Sequence, residues 1–199
     1  MTEAVPDKTS LRRAVALVAL LNLGYFAVEF TVALAIGSVS LFADSVDFLE
    51  DASVNLLIFV GLDWTARARA RLGMALAALL LVPALATLWT AGEKVLAPMP
   101  PQPLALSLTG LGALAVNLTC AFVLARYRHH AGSLTRAAFL SARNDAIANV
   151  AIIAAGIVTA LLWQSAWPDV IVGLAIAAIN ADAAREVWSA AREEHRAEA

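Results

Sequence analysis

Residues 41–62 read LFADSVDFLEDASVNLLIFVGL. The length and apolarity of this stretch suit a helix that crosses a bilayer. Yet it carries Asp44, Asp47, Glu50 and Asp51. A charged side chain at the bilayer centre costs on the order of a few kcal/mol, so four acids in one span need a reason. Asp44, Asp47 and Asp51 are spaced i, i+3, i+7, which places three carboxylates on one helical stripe. Like charges side by side in low dielectric repel, and protons or a cation must relieve that repulsion. A second stretch, SARNDAIAN at residues 141–149, offers a matching stripe of Ser141, Asp145 and Asn149, each four apart. Two helices with inward oxygen-rich stripes make a cation site inside a membrane.

The rest of the chain agrees with a membrane setting. Of 199 residues, 61% are hydrophobic and only 15% charged, and the mean hydropathy is +0.75. Soluble domains hold apolar content nearer half. The formal net charge of −2 gives no electrostatic footing for a nucleic-acid partner. Cys120 is the only cysteine, which excludes an internal disulfide and a cysteine-based metal cluster. The first apolar run, after Arg12 and Arg13, continues to Ile36 and exceeds the apolar region of a signal peptide, so it reads as a retained first span.

Working outward from residues 41–62, the sequence predicts an all-α membrane protein of six transmembrane helices. Residues 1–13 form an N-terminal tail, 14–184 the six-span domain and 185–199 a short C-terminal tail. Span one covers about 14–36 and contains Asn22 and Glu29. The link at residues 37–40 fits only a tight helical hairpin into span two. Span three covers about 72–91, and the proline-rich stretch after it breaks the helix. Span four covers about 104–124 with Asn117, span five about 137–163, and span six about 169–184.

Charge placement sets the orientation. With the N-terminus inside, the cytoplasmic segments hold Lys8, Arg12, Arg13, Arg67, Arg69, Arg71, Arg126, Arg128, Arg136, Arg185, Arg192 and Arg196, whereas the outer loops hold only Lys94. Both termini are therefore expected in the cytoplasm, and the protein in the cytoplasmic (inner) membrane of its cell. Trp89, Trp163 and Trp167 then fall near one interface and Trp64 and Trp188 near the other, as an aromatic belt requires.

The candidate site residues follow from spacing. Asp47 and Asp51, at i and i+4, leave one helix face a turn apart and can grip one ion. Asp145 can supply a third carboxylate from span five, with Ser141 one turn before it. Pairing with Arg143 would explain one buried acid, but one arginine does not suffice for three. Glu50 lies beside the stripe, as a proton acceptor or a partner in an inter-helix hydrogen bond. Asn22, Glu29 and Asn117 read as residues that hold helices together. His129 and His130 sit in a basic loop, where metal loading competes with a simple interfacial patch, since neighbouring positive charge disfavours a cation. Asp169, after Pro168, reads as a helix-start residue. Asp182 has no role that spacing assigns.

The run GSVSLFADSVDFLEDA together with SARNDAIANVAIIAAG resembles the cation diffusion facilitators, which exchange divalent metal for protons. The resemblance takes in the six spans, the short hairpin, Asn22, Glu29 and Asn117. It implies a tetrahedral transport site of His/Asp-x-x-x-Asp pairs from spans two and five. Asp47 and Asp51 match the first pair and Asp145 the last ligand, with Ser141 where the family has His or Asp. An all-oxygen site leans away from zinc toward harder ions such as manganese or iron. After span six, only residues 185–199 stand where the family has a cytoplasmic metal-binding domain, and the loop between spans two and three lacks histidines found in some relatives. A short form without that domain is the expectation.

The resulting expectation is a divalent metal efflux carrier working by alternating access. Zinc or a related transition metal leaves in exchange for protons, with no resident cofactor and no enzyme chemistry. Its partners are the lipid bilayer, metal ions, protons and a second copy of the chain, joined through transmembrane helices. The small residues Gly73, Ala75, Ala77 and Ala78 of span three suit close helix packing. The rivals are a manganese- or iron-preferring carrier, a non-transporting metal-binding or sensor subunit, and an intramembrane aspartyl enzyme.

Overall fold

The computed structural model describes residues 8–61, 65, 68, 71, 75, 85–127 and 133–181. The helices are α1 (Lys8–Ile36), α2 (Val39–Gly61), α3 (described over 85–96), α4 (Pro103–Ala125), α5 (Ser133–Leu161) and α6 (Trp167–Ala181). Among the described residues, α1, α4 and the 138–161 part of α5 are long and apolar enough to cross a membrane. The four acids in α2 separate it from that group, although its 23 residues are sufficient in length. Most of span three, the loop with His129 and His130, and the residues after 181, including Asp182 and Trp188, lie outside the described residues, as does Trp64.

The helix boundaries have local causes. Pro103 occupies the first turn of α4, where its missing N–H costs nothing. Gly37 ends α1 with φ +61°, a left-handed conformation that glycine adopts freely. The Ser38 N–H then reaches back to the Ala33 carbonyl at 3.0 Å, closing a Schellman-type turn. This two-residue link folds α2 directly back on α1.

The bundle packs α1 on α2 and α4 on α5, with α1 also on α4 and α2 on α5. One apolar cluster joins Val15 and Val18 of α1, Ile58 of α2, Leu124 of α4 and Ala142 of α5. A second joins Ala33, Leu41, Val46, Leu106, Ile152 and Ile176. Along α1 and α2, buried Asn22, Glu29, Asp47 and Asp51 fall between the two. Large apolar side chains cover the outside instead: Leu20 is 69% exposed, Phe122 82% and Leu161 77%. Lipid is the solvent for such a surface. Trp89, Trp163 and Trp167 are exposed at helix ends, as an interfacial belt requires. At the far end of the hairpin, Arg12 stacks its guanidinium over the Phe59 ring, 4.6 Å from the centroid.

Asp169 corrects one expectation. It does sit in the first turn of α6, but its carboxylate serves another helix. It accepts hydrogen bonds from the Ser38 and Ser40 hydroxyls at 2.6 Å each, from the Val39 N–H at 2.8 Å and from the Ser40 N–H at 3.1 Å. These are orphan donors of the first turn of α2, capped across the bundle by a fully buried charge. Gly173, one turn further along α6, permits this approach: a Cβ there would lie 2.7 Å from the Val39 carbonyl carbon. Lys94 completes the clasp by donating to the Gly37 carbonyl.

Candidate metal-ion site

α2 and α5 run antiparallel and present their polar stripes to each other. The Ser141 hydroxyl donates to Asp51 Oδ1 at 2.9 Å. Farther along, Asn149 Nδ2 donates to Asp44 Oδ2, and Asn117 Nδ2 on α4 donates to Asn149 Oδ1 at 3.0 Å. The two stripes thus meet in register, with Asp51 opposite Ser141 and Asp44 opposite Asn149.

At the first of these levels lies a cavity of about 90 Å³, lined by Asp47, Glu50, Asp51, Ser141, Asn144, Asp145, Ile179 and Asn180. That is room for an ion with some of its water. Asp47 and Asp51 keep only 8% and 5% of their surface exposed, while Ser141 and Asp145 are half-buried. Among the described residues, no cationic side chain lines the cavity. Arg143 is exposed and does not line the cavity, although its guanidinium bonds the cavity-lining Asn144 at Oδ1, 3.3 Å away. Among the described residues the acids therefore have no counter-charge at the cavity, which is the arrangement that attracts a cation. Among the described residues, no three His, Cys, Asp or Glu side chains close on a single point. The carboxylates surround the cavity and must draw inward to share an ion. A larger groove of about 430 Å³ runs beside α1 and α2, but its lining of Ala16, Leu20, Leu23, Leu56 and Phe59 offers an ion nothing.

Of the residues singled out from sequence, Asp47, Asp51, Asp145, Ser141 and Glu50 come together at this cavity. Glu50 lines it rather than standing aside. Asn149 does not line it; the bond to Asp44 places it at the neighbouring level. Asp44 shares the stripe of the other two aspartates but is buried at the level of Asn149, outside the cavity lining. His129 and His130 lie outside the described residues. Asn144 and Asn180 were not anticipated. Asn180, the one amide in the otherwise apolar run of α6, was a legible signal; Asn144, beside Asp145, was masked by its neighbour.

Of the described inter-helix contacts, Asn117 bonds α4 to α5, as expected of it. Asn22 receives only a long contact from Cys120 Sγ at 3.9 Å. Glu29 departs from expectation: it is fully buried, and neither of its oxygens is met by a hydrogen-bond donor.

A helical membrane bundle with facing acids around an interior cavity has the build of a cation carrier. The chain belongs to the cation efflux family: the model of the cation efflux transmembrane domain matches residues 15–193. No curated protein matches it. Members of this family are multi-pass membrane transporters that export metal cations, and not enzymes.

Proposed function

We propose that the chain exports a divalent transition metal in exchange for protons, by alternating access through the cavity between α2 and α5. The supporting observation is the convergence of Asp47, Asp51, Asp145 and Ser141 on that cavity, with no counter-charge among the described residues. The three carboxylates bind the ion from the cytoplasm. Ser141 retains its lone pairs while donating to Asp51, so its oxygen, or a water, serves as fourth ligand. Protons entering from the opposite side neutralise the same carboxylates and release the ion, so the two cargoes compete for one buried negative charge. Both termini lie in the cytoplasm in this reading, and the membrane is the cell's inner one. The test is uptake into proteoliposomes with zinc, manganese, iron, cobalt and cadmium, with and without a proton gradient. Metal flux indifferent to the gradient would remove the exchange; binding without any flux would favour the sensor-subunit reading.

Ser141 sets the choice among metals. A neutral hydroxyl in place of imidazole weakens the preference for zinc and favours manganese or iron relative to a site with nitrogen. Ser141→His should raise zinc affinity. It should also add a pH-dependent step between roughly pH 5 and 8, where histidine changes charge. Apparent zinc affinity and manganese competition across that range, compared with wild type in the same vesicles, decide the matter. If neither changes, position 141 does not face the ion.

A second copy of the chain packs against span three. Gly73, Ala75, Ala77 and Ala78 give that span small residues for close approach; of these, Ala75 is among the described residues, where it is helical and exposed. Cysteines introduced singly on span three, in a Cys120→Ser background, should cross-link two chains. Cross-links confined to the C-terminal tail would rule this interface out.

A further inference from the structure

One level along α2 from the cavity is a second group of acids. Glu29 of α1 lies beside Asp44 of α2, and both are fully buried. Asn149 Nδ2 satisfies Asp44 Oδ2. Asn117 is joined to the group through Asn149 and is itself 1% exposed. Four buried oxygens then have no hydrogen-bond donor: Glu29 Oε1 and Oε2, Asp44 Oδ1 and Asn117 Oδ1. The Tyr25 hydroxyl, the nearby donor on α1, is committed to the Thr109 carbonyl at 2.6 Å. Among the described residues no lysine, arginine or histidine pairs with either carboxylate.

Unpartnered buried polar atoms call for an explanation each, and an unseen ion is one of the few available. Here all four are acceptors, two belong to adjacent carboxylates, and the amide Nδ2 atoms of Asn117 and Asn149 are already spent within the group. Within the group the one donor left is a proton shared between the Glu29 and Asp44 carboxyls, which lie within hydrogen-bonding reach of each other. A cation between the carboxylates would meet their demand without such a proton, and an oxygen-only donor set suits a hard or borderline divalent ion.

We propose that Glu29, Asp44 and Asn117 form a second divalent-cation site, separate from the cavity of Asp47, Asp51 and Asp145. It receives the same ion on its way out, and in that respect rests on the transport reading above. Asp44 and Asp47 are three residues apart, so the transfer covers only about 4.5 Å along the α2 axis. The step is toward the α1–α2 hairpin, the outer end in that reading. Asn149 ties the two levels together, since it follows Asp145 by one turn on α5 and holds Asp44 in place.

The experiment is a count of bound metal on the full chain in lipid nanodiscs, by equilibrium dialysis with manganese and, in parallel, zinc. Wild type is compared with Asp51→Asn, Glu29→Gln, Asp44→Asn and the Asp51→Asn/Glu29→Gln pair; the amide variants preserve side-chain shape, and thermal unfolding verifies that each is folded. Wild type should bind two ions per chain, Asp51→Asn and Glu29→Gln one each, and the double variant none. Asp44→Asn should reproduce Glu29→Gln. If wild type binds one ion, lost in Asp51→Asn and retained in Glu29→Gln, the second site is wrong and the cavity stands. The same retention in Glu29→Gln would follow if a proton shared by the two carboxylates occupied the place of the metal, and it overturns the proposal equally. If the Asp51→Asn variant keeps the full count, the cavity assignment fails instead.

Discussion

Asp51→Ala is expected to abolish metal flux while leaving the chain inserted and folded. Asp51 is 5% exposed, lines the cavity and is the acceptor for Ser141. Its replacement removes one of the three carboxylates that would share the ion, and Glu50, which also lines the cavity, does not stand on the Asp47/Asp51 face to replace it. Changes to outer partners of metal ligands alone commonly cost 10–100-fold, so loss of a direct ligand should lower flux by roughly 100-fold or more. Folding should not suffer in proportion. Removal of one buried acid relieves repulsion from Asp47, Glu50 and Asp145, which share the cavity. The Ser141 hydroxyl loses its acceptor, a cost of about 1–3 kcal/mol at most. Flux in vesicles at matched protein level measures the effect, with Asp51→Asn as a variant that keeps the side-chain shape. Wild-type flux in either would mean that the ion does not pass Asp51.

Asp169→Ala should give the largest loss of stability. The alanine leaves the Ser38 and Ser40 hydroxyls and the Val39 and Ser40 amides without their acceptor. All three residues are buried, so water does not readily take its place. A buried donor left without its acceptor costs about 1–3 kcal/mol, and four lose theirs here. The relief of Asp169's own desolvation offsets part of that loss. Asp169→Asn should fall between: it keeps one carbonyl acceptor but turns an amide donor toward donors. The unfolding midpoint in detergent, with hydrogen exchange at the Val39 and Ser40 amides, reads both effects. An unchanged midpoint in Asp169→Ala would show that the α2 terminus is held by Ser38 alone, through its bond from the Leu41 N–H at 3.2 Å. Metal binding should weaken in step with stability, because α2 carries both Asp47 and Asp51.

Much of the site was legible because helical spacing is a local property. The i, i+4 pairs Asp47/Asp51 and Ser141/Asp145 each define one face of one helix, and buried acids on two faces with no counter-charge must meet over something positive. What spacing does not reveal is the level at which each residue finds its neighbour. Asp44 and Asp51 share a stripe yet stand about 10 Å apart along the axis, enough for separate surroundings. Asp44 therefore joins Glu29 and Asn149, and Asp51 joins Ser141. Glu29 was visible as a buried acid, but its lack of any donor depends on which helices flank it. The helices themselves were legible from apolar runs, with boundaries shifted by a few residues, as at α5, which begins at Ser133 rather than near 137; three of them are long and apolar enough to cross a membrane among the described residues. Asp169 was read from its own neighbourhood, after a proline at the head of a helix. Its partners lie on the other side of the bundle, and nothing local announces them.

The distance between Asp169 and those partners also orders the assembly of the protein in time. The acceptor for Ser38, Val39 and Ser40 is 131, 130 and 129 residues away along the chain. During synthesis the first hairpin emerges with its exposed donors facing lipid or translocon, and stays incomplete until α6 follows. A chain stopped after α5 would already contain every acid of the cavity and still lack the residue that fixes α2 in place. Membrane insertion of the early spans and maturation of the carrier are thus separate events, divided by the time it takes to make the remaining residues.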